Sequence, residues 1–255
     1  MTDFMNFLKT ESGRLIAYSL SEGKGPGVVF LGGFMSDMTG TKAHSLQAWC
    51  EEKKMPFLKF DYSGHGSSSG SFTDGCIGDW ADDALATIVK LTKGPQVLVG
   101  SSMGGWIALL LAQRIPDRIF GLVTVAAAPD FTEDGIWANF DNQTRKCLLE
   151  EGIVSVPSDY GSPYPITKRL IEDGRTHLVL RKPLRLPFPV RLLQGDQDKD
   201  VSVELANQLF QHIEGSDVYL TLLKGADHSF SRPNAIALLK TSILDIMGLS
   251  ENAGS

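Results

Sequence analysis

The stretch Leu98–Trp106 reads LVGSSMGGW. Gln96 to Gly100 leads into it as a short strand, and Trp106 to Arg114 leads out as an apolar helix. Two serines sit at the junction, hemmed in by Gly100, Gly104 and Gly105. Only Ser102 has glycine two residues to either side; around Ser101 those positions hold Val99 and Met103. The pattern G-x-S-x-G has a steric reason. A serine on a tight strand-to-helix turn takes a strained backbone and lifts its oxygen above the sheet, while glycines keep the adjoining chain clear. The helix N-terminus then aims its free amides at the same place. The competing account is a pair of helix-capping serines. The buried strand before and the apolar helix after favour Ser102 as a nucleophile.

The surrounding chain alternates strands and helices. GRLIAYSL follows the Glu11-Ser12-Gly13 turn as one arm of an early hairpin. Val28 to Leu31 is a continuous apolar run, as in a strand buried on both faces. A helix is predicted from about Thr41 to Lys53, a strand over Phe57 to Phe60, and a glycine-rich loop from Asp61 onward. Trp80, Ala84, Ile88 and Leu91 fall on one face of a further helix. Ile119 to Ala127 is the next strand. Alternation lapses between about Asp130 and Leu186, where Pro157, Pro163, Pro165 and Pro183, with Pro187 just beyond, separate helical pieces. It resumes with a strand over Val190 to Leu193, a helix near Val203 to Ile213, a strand over Val218 to Leu222 and a last apolar-faced helix. A polar tail, SENAGS, follows. Such alternation predicts a mostly parallel sheet flanked by helices. The core spans residues 1–129 and 187–255, and residues 130–186 form an insertion that caps it. Trp137, Phe140, Leu148 and Ile166 argue that the insertion is folded.

A nucleophilic serine needs a base. His44 and His212 fall inside predicted helices and His177 in the insertion. His65 sits in the Asp61–Ser67 loop, with a structural or substrate-facing role. His228 follows a strand and a short polar loop, which places it at the carboxyl end of the sheet, where α/β sites form. The acid is open at this point among Asp196, Asp198, Asp200 and Asp130; each follows a strand, and three of the four are surface carboxylates on the simplest account. For an oxyanion hole, one amide comes from the residue after the nucleophile, Met103. The other comes from the loop after an earlier strand, where Gly32-Gly33-Phe34 offers the Phe34 amide and room for substrate beside Gly33.

The motifs GGFMSD, FDYSGHGSSSG, VGSSMGGW, LLQGDQDKDV and GADHSF together resemble the α/β-hydrolase superfamily over essentially the whole chain. The resemblance implies the α/β-hydrolase fold and the order Ser, Asp, His for the triad. The superfamily's acid loop, Gly-x-x-Asp-x-x-Val, aligns here with Gly195, Asp198 and Val201, which selects Asp198. Gly32 stands where many members carry His, a change to which a backbone donor is indifferent. GGFMSDMTGTKA and GPQVLVGSSMGGW are similar to a branch of mitochondrial palmitoyl-protein thioesterases and acyl-glucuronide esterases. That implies transfer of an acyl group to water from a thioester or oxoester, with Ser102, Asp198 and His228 as triad and no metal or organic cofactor.

Composition narrows the alternatives. A 255-residue chain, 42% apolar and 21% charged, has the makings of a large soluble core. A formal net charge of -6 with scattered basic residues leaves no footprint for nucleic acid. The longest apolar runs, IALLLA and LVTVAAA, are too short for membrane insertion. Cys50, Cys76 and Cys147 match no zinc spacing and read as reduced thiols. The N-terminus has no cationic region followed by an apolar stretch, and a cytoplasmic location is expected. The partner is a small-molecule or acylated-protein substrate. Trp106, Trp137 and Phe140, with Phe131, are expected to line an apolar acyl site. Rival functions on the same fold are a lactonase, a carbon–carbon bond hydrolase or an acyltransferase; a non-catalytic ligand receptor is the rival outside enzymology.

Overall fold

The computed structural model describes residues 5–158 and 163–249. The SENAGS tail lies outside the described residues. In chain order the elements are β1 (Asn6–Lys9), β2 (Leu15–Ser21), β3 (Gly27–Leu31), α1 (Thr41–Glu52), β4 (Phe57–Phe60), α2 (Ile77–Leu91), β5 (Gln96–Ser101), α3 (Met103–Arg114) and β6 (Ile119–Val125). Then come α4 (Asn142–Glu151), β7 (Ile153–Val156), β8 (Tyr164–Thr167), α5 (Lys168–Thr176) and β9 (Leu184–Arg185). The chain closes with β10 (Val190–Gly195), α6 (Val203–His212), β11 (Ile213–Glu214), β12 (Val218–Leu223) and α7 (Pro233–Met247).

Eight strands make one sheet in the order β1-β2-β4-β3-β5-β6-β10-β12. The β1–β2 hairpin and the β2–β4 pair are antiparallel; from β4 to β12 every pairing is parallel. β3 and β5 are buried at every position, as their unbroken apolar runs require. Two helical layers cover them. Trp80 and Ile88 of α2, most of α3, and Leu209 of α6 pack on one face. Leu46 and Trp49 of α1 pack with Leu239 and Ile243 of α7 on the other. α3 is buried all round from Met103 to Ala112 and so runs through the centre of its layer. All the parallel strands end at one edge, and the loops leaving β3, β5, β10 and β12 meet there.

Between β6 and β10 the chain folds differently. Asp130, left-handed at φ 58, starts a π-helical segment over Phe131–Trp137. α4 follows and stops at Gly152, whose φ of 81 fits the left-handed cap that glycine tolerates. Next comes an antiparallel β7–β8 pair with Pro165 opposite Ser155. Only helical pieces are expected between the prolines of this stretch, and the ribbon departs from that expectation. A two-stranded ribbon is all edge, and an edge strand tolerates a proline without an N–H. Asp130 ties the start of this stretch to its end. Its buried carboxylate accepts the Val179 and Leu180 amides at 2.7 and 3.0 Å.

Candidate active site

Ser102 is the hinge between β5 and α3. Its backbone sits at φ 55, ψ -119, outside the regions an L-residue ordinarily occupies. Three hydrogen bonds hold it there. Its N–H donates to the Val125 carbonyl at 3.0 Å, and its carbonyl accepts from Gly105 at 2.9 Å and Ala128 at 3.1 Å. The flanking glycines are needed for packing. A β-carbon on Gly100 would strike the Gly104 carbonyl, and one on Gly104 would strike the Leu31 carbonyl. Ser101 differs: it is the last residue of β5, and buried.

Gly33, in the loop after β3, packs against this hinge. A β-carbon there would lie 3.4 Å from Ser102 Cβ. Phe34 follows, with its ring edge-on to Phe72, Phe131 and Tyr164. Met103 is the first residue of α3, and its side chain is fully buried. Only its backbone amide, among the first-turn N–H groups that lack an acceptor within the helix, can face a ligand.

His228 follows β12 and Asp198 follows β10. The imidazole Nδ1 donates to Asp198 Oδ2 at 2.9 Å and lies 3.1 Å from Oδ1. Oδ1 also accepts the amides of Asp200 and Val201 at 2.9 Å each, and Gln194 Nε2 reaches Oδ2 at 3.1 Å. Burial alone would push the Asp198 carboxyl up; the bonds from His228 and the two amides outweigh it and hold the group below the usual carboxylate range. The other three acids have different work. Asp196 pairs with Lys224 and accepts the Gly225 amide. Asp200 is exposed. Asp130 is taken by residues 179–181.

Ser102, Gly33, Phe34 and His228 line one pocket of about 620 Å³. Its apolar side is Phe34, Ala128, Phe131, Ile136 and Tyr164; its polar side includes Ser36, Lys42, Ser229 and Ser231. Lys42 is pushed down to about 8 by burial, against the opposing pull of Asp227 and Asp198. Its ammonium donates to the Ser229 carbonyl. The carboxylates of Asp198 and Asp200 and the ring of His228 lie close enough to share a cation. Asp198 Oδ2, however, already accepts the His228 N–H and the Gln194 side-chain amide, and Oδ1 accepts two backbone amides, so the cluster is built as a hydrogen-bonded pair.

The model of the family described as "alpha/beta hydrolase fold" matches residues 28–164, more than half of the chain. The chain belongs to the α/β hydrolase family. Over 237 residues it is 35% identical to the palmitoyl-protein thioesterase ABHD10, mitochondrial, of Bos taurus, covering 91% of this chain and 76% of that protein. A crystal structure from Agrobacterium vitis S4 superposes with a TM-score of 0.91 at 36% identity, covering 95% of this chain and 98% of that one. The α/β hydrolase domain-containing protein 10 from mouse gives 0.89 at 32% identity, covering 96% and 98%. The family membership and these relatives make this chain a hydrolase acting on ester or thioester bonds. They overturn the cytoplasmic expectation, because the curated relatives are mitochondrial proteins. Charge and composition could not have told the two compartments apart, since both hold soluble, disulfide-free hydrolases.

Set on the α/β hydrolase frame, the expected residues divide. Gly33, Phe34, Ser102 and His228 line the pocket, Asp198 stands behind His228, and Met103 lies next to Ser102. Trp106, Trp137 and Phe140 are not among its lining residues. Trp106 is fully buried, with its indole N–H on the His177 carbonyl at 3.0 Å and its ring against Phe131. It supports the pocket wall from beneath. Trp137 is half-buried against the hydrophobic core, and Arg145 and Arg175 lie over its ring. Phe140 packs beside Trp137. Sequence reasoning does not find the lining residues Ile136, Tyr164 and Lys42. Ile136 and Tyr164 lie in the least regular part of the chain. Lys42 carried a signal: it is in the first turn of the helix that directly follows the Gly32–Gly33 loop. Of the remaining histidines, His44 is exposed, His212 bonds the Lys182 carbonyl, and His177 pairs with Asp173.

Proposed function

We propose that Ser102 is the nucleophile of a serine esterase or thioesterase that passes through an acyl-enzyme. His228 takes the Ser102 proton as Oγ attacks the acyl carbonyl and returns it to the departing thiol or alcohol. Asp198 fixes the imidazole tautomer and stabilises the imidazolium. The Phe34 and Met103 amides receive the oxyanion. Water then attacks the acyl-enzyme by the same route. The observation that carries this reading is the pairing of a strained, glycine-flanked Ser102 with an Asp198-held His228 on one pocket. Residues 130–186 act as a cap, and Phe131, Ile136 and Tyr164 hold an apolar acyl chain against Phe34. The substrate is an acyl thioester or oxoester, as small molecule or acylated protein; palmitoyl-type chains suit the apolar wall and are the substrate named for the ABHD10 relatives. Ser102→Ala should abolish hydrolysis of nitrophenyl esters and acyl thioesters, together with covalent labelling by a fluorophosphonate. Undiminished turnover in that variant would overturn the assignment.

A further inference from the structure

His65 is buried next to the Gly32–Met38 loop, yet it is far along the chain from any triad residue. Its Nδ1 faces the Ser63 carbonyl at 3.2 Å, an atom that only accepts, so Nδ1 carries the proton. Its Nε2 faces the Met35 amide at 3.2 Å, a group that only donates, so Nε2 is bare. The ring is enclosed by Tyr62, Phe72 and Trp80. Burial pushes its pKa down to about 4, which keeps the acceptor form throughout the neutral range.

Two neighbours of His65 grip the same loop. Tyr62 Oη donates to the Gly32 carbonyl at 3.4 Å, and Asp61 Oδ1 accepts the Met38 amide at 2.7 Å. The loop is thus held at residues 32, 35 and 38 by three side chains of one segment. That segment is itself braced by α2. Asp83 accepts the Ser63 amide and hydroxyl at 2.9 and 2.6 Å, and the Trp80 indole donates to the Ser63 carbonyl at 3.0 Å. Met35, where His65 attaches, has a left-handed φ of 53, a conformation a methionine holds only when its surroundings enforce it. Phe34 lies between Gly33, which packs on Ser102, and Met35, which is tied to His65.

We propose that His65 is a positioning residue: its bare Nε2 anchors the Met35 amide and so fixes the direction in which the adjacent Phe34 amide points at the developing oxyanion. This rests on the assignment of Ser102 and the Phe34 amide made above. It accounts for a buried polar histidine in a loop that contributes no atom to the reaction.

Steady-state hydrolysis of a nitrophenyl ester tests it with three substitutions. Glutamine can place an acceptor where Nε2 lies; asparagine reaches only as far as Nδ1; alanine supplies neither. His65→Ala and His65→Asn should lower kcat by about 10²-fold, with KM little changed, while His65→Gln stays within about fivefold of wild type. Imidazole added to His65→Ala should restore part of the rate by filling the vacated ring site. A role in packing alone would make Gln and Asn equal, and that result overturns the proposal. So does a His65→Ala enzyme with wild-type kcat. If His65→Ala does not fold, the Gln and Asn pair decides alone. Ser102→Ala, run alongside, separates the two failures. Activity in that variant removes the underlying assignment, whereas a dead Ser102→Ala with unaffected His65 variants removes only this proposal.

Discussion

Asp130 follows β6 and Asp198 follows β10, two neighbouring strands of the sheet. Both side chains are withdrawn from solvent, and each accepts two backbone amides. Asp198 also accepts the Gln194 side-chain amide at 3.1 Å, and the two acids differ in the ionisable side chain each one meets. Asp198 meets an imidazole N–H at 2.9 Å; Asp130 meets the edge of the Arg181 guanidinium at 3.4 Å. A neutral imidazole has a nitrogen that can accept a proton, and a guanidinium has none. The two carboxyls are also displaced in opposite directions. Burial prevails at Asp130 and raises it, despite the amides of Val179 and Leu180. At Asp198 the hydrogen bonds prevail and lower it. Burial and amide partners therefore mark a carboxylate as held, and the ionisable partner is what separates the proposed catalytic acid, Asp198, from Asp130.

The largest difference should appear in turnover. Asp198→Asn should lower kcat by roughly 10⁴-fold with the fold retained, because His228 loses the partner that sets its tautomer. Ester hydrolysis measures it, and an unimpaired rate would erase the distinction from Asp130. Next, Asp130→Ala should cost about 3 kcal/mol of stability, since it leaves the two buried amides of Val179 and Leu180 without their acceptor. Urea unfolding reads that cost, and the folded variant should turn over nearly normally. A smaller contrast lies within one helical segment. Phe131→Ala should lower kcat/KM for a long-chain acyl ester by about tenfold, the scale expected when one side of an apolar pocket is cut back. Trp137→Leu should leave the chain-length profile as it is. If Trp137→Leu shifts the profile instead, the acyl chain runs outside the pocket described.

The smallest effect is one of sign. A lowered Asp198 pKa stabilises the folded state above the ordinary carboxylate range, and this is lost as pH falls through the lowered value. A raised Asp130 pKa does the reverse: its ionisation costs stability as pH rises from the ordinary range through the raised value. Urea midpoints across the acidic range should therefore narrow the gap between wild type and Asp198→Asn as pH falls, and widen the gap between wild type and Asp130→Asn. Parallel trends would mean that the two carboxyls share one environment.

Legibility in the sequence follows the same physical division. β3 and β5 could be placed to within a residue or so because strands buried on both faces are unbroken apolar runs. Ser102 could be picked from Ser101 because glycine spacing encodes a backbone collision. His228 could be placed by topology, since only it sits late in the chain at the carboxyl edge. The choice of Asp198 among four acids depended on the family register, because no local pattern says which carboxylate will reach an imidazole thirty residues away. The 130–186 stretch was opaque for a related reason. Its aromatic residues are all apolar enough to line a pocket, and only packing decides that Phe131 lines it while Trp137 and Phe140 pack half-buried against the core and each other. Buried polar residues such as Gln194 and His65 carry no periodic signature at all.

The absence of a side chain at Gly104 has a consequence for how such a protein can change. The carbonyls of Leu31 and Gly32 sit where that side chain would be, so the first turn of α3 and the loop after β3 are spaced by main chain against main chain. No rotamer lies in that gap to shift when a neighbour is replaced. Under the proposed mechanism, substitutions at Phe131, Ile136 or Tyr164 can therefore redraw what the pocket accepts while the spacing between Ser102 and the loop after β3 stays constant. Diversity of substrate and constancy of chemistry are separable here because they are written in different atoms.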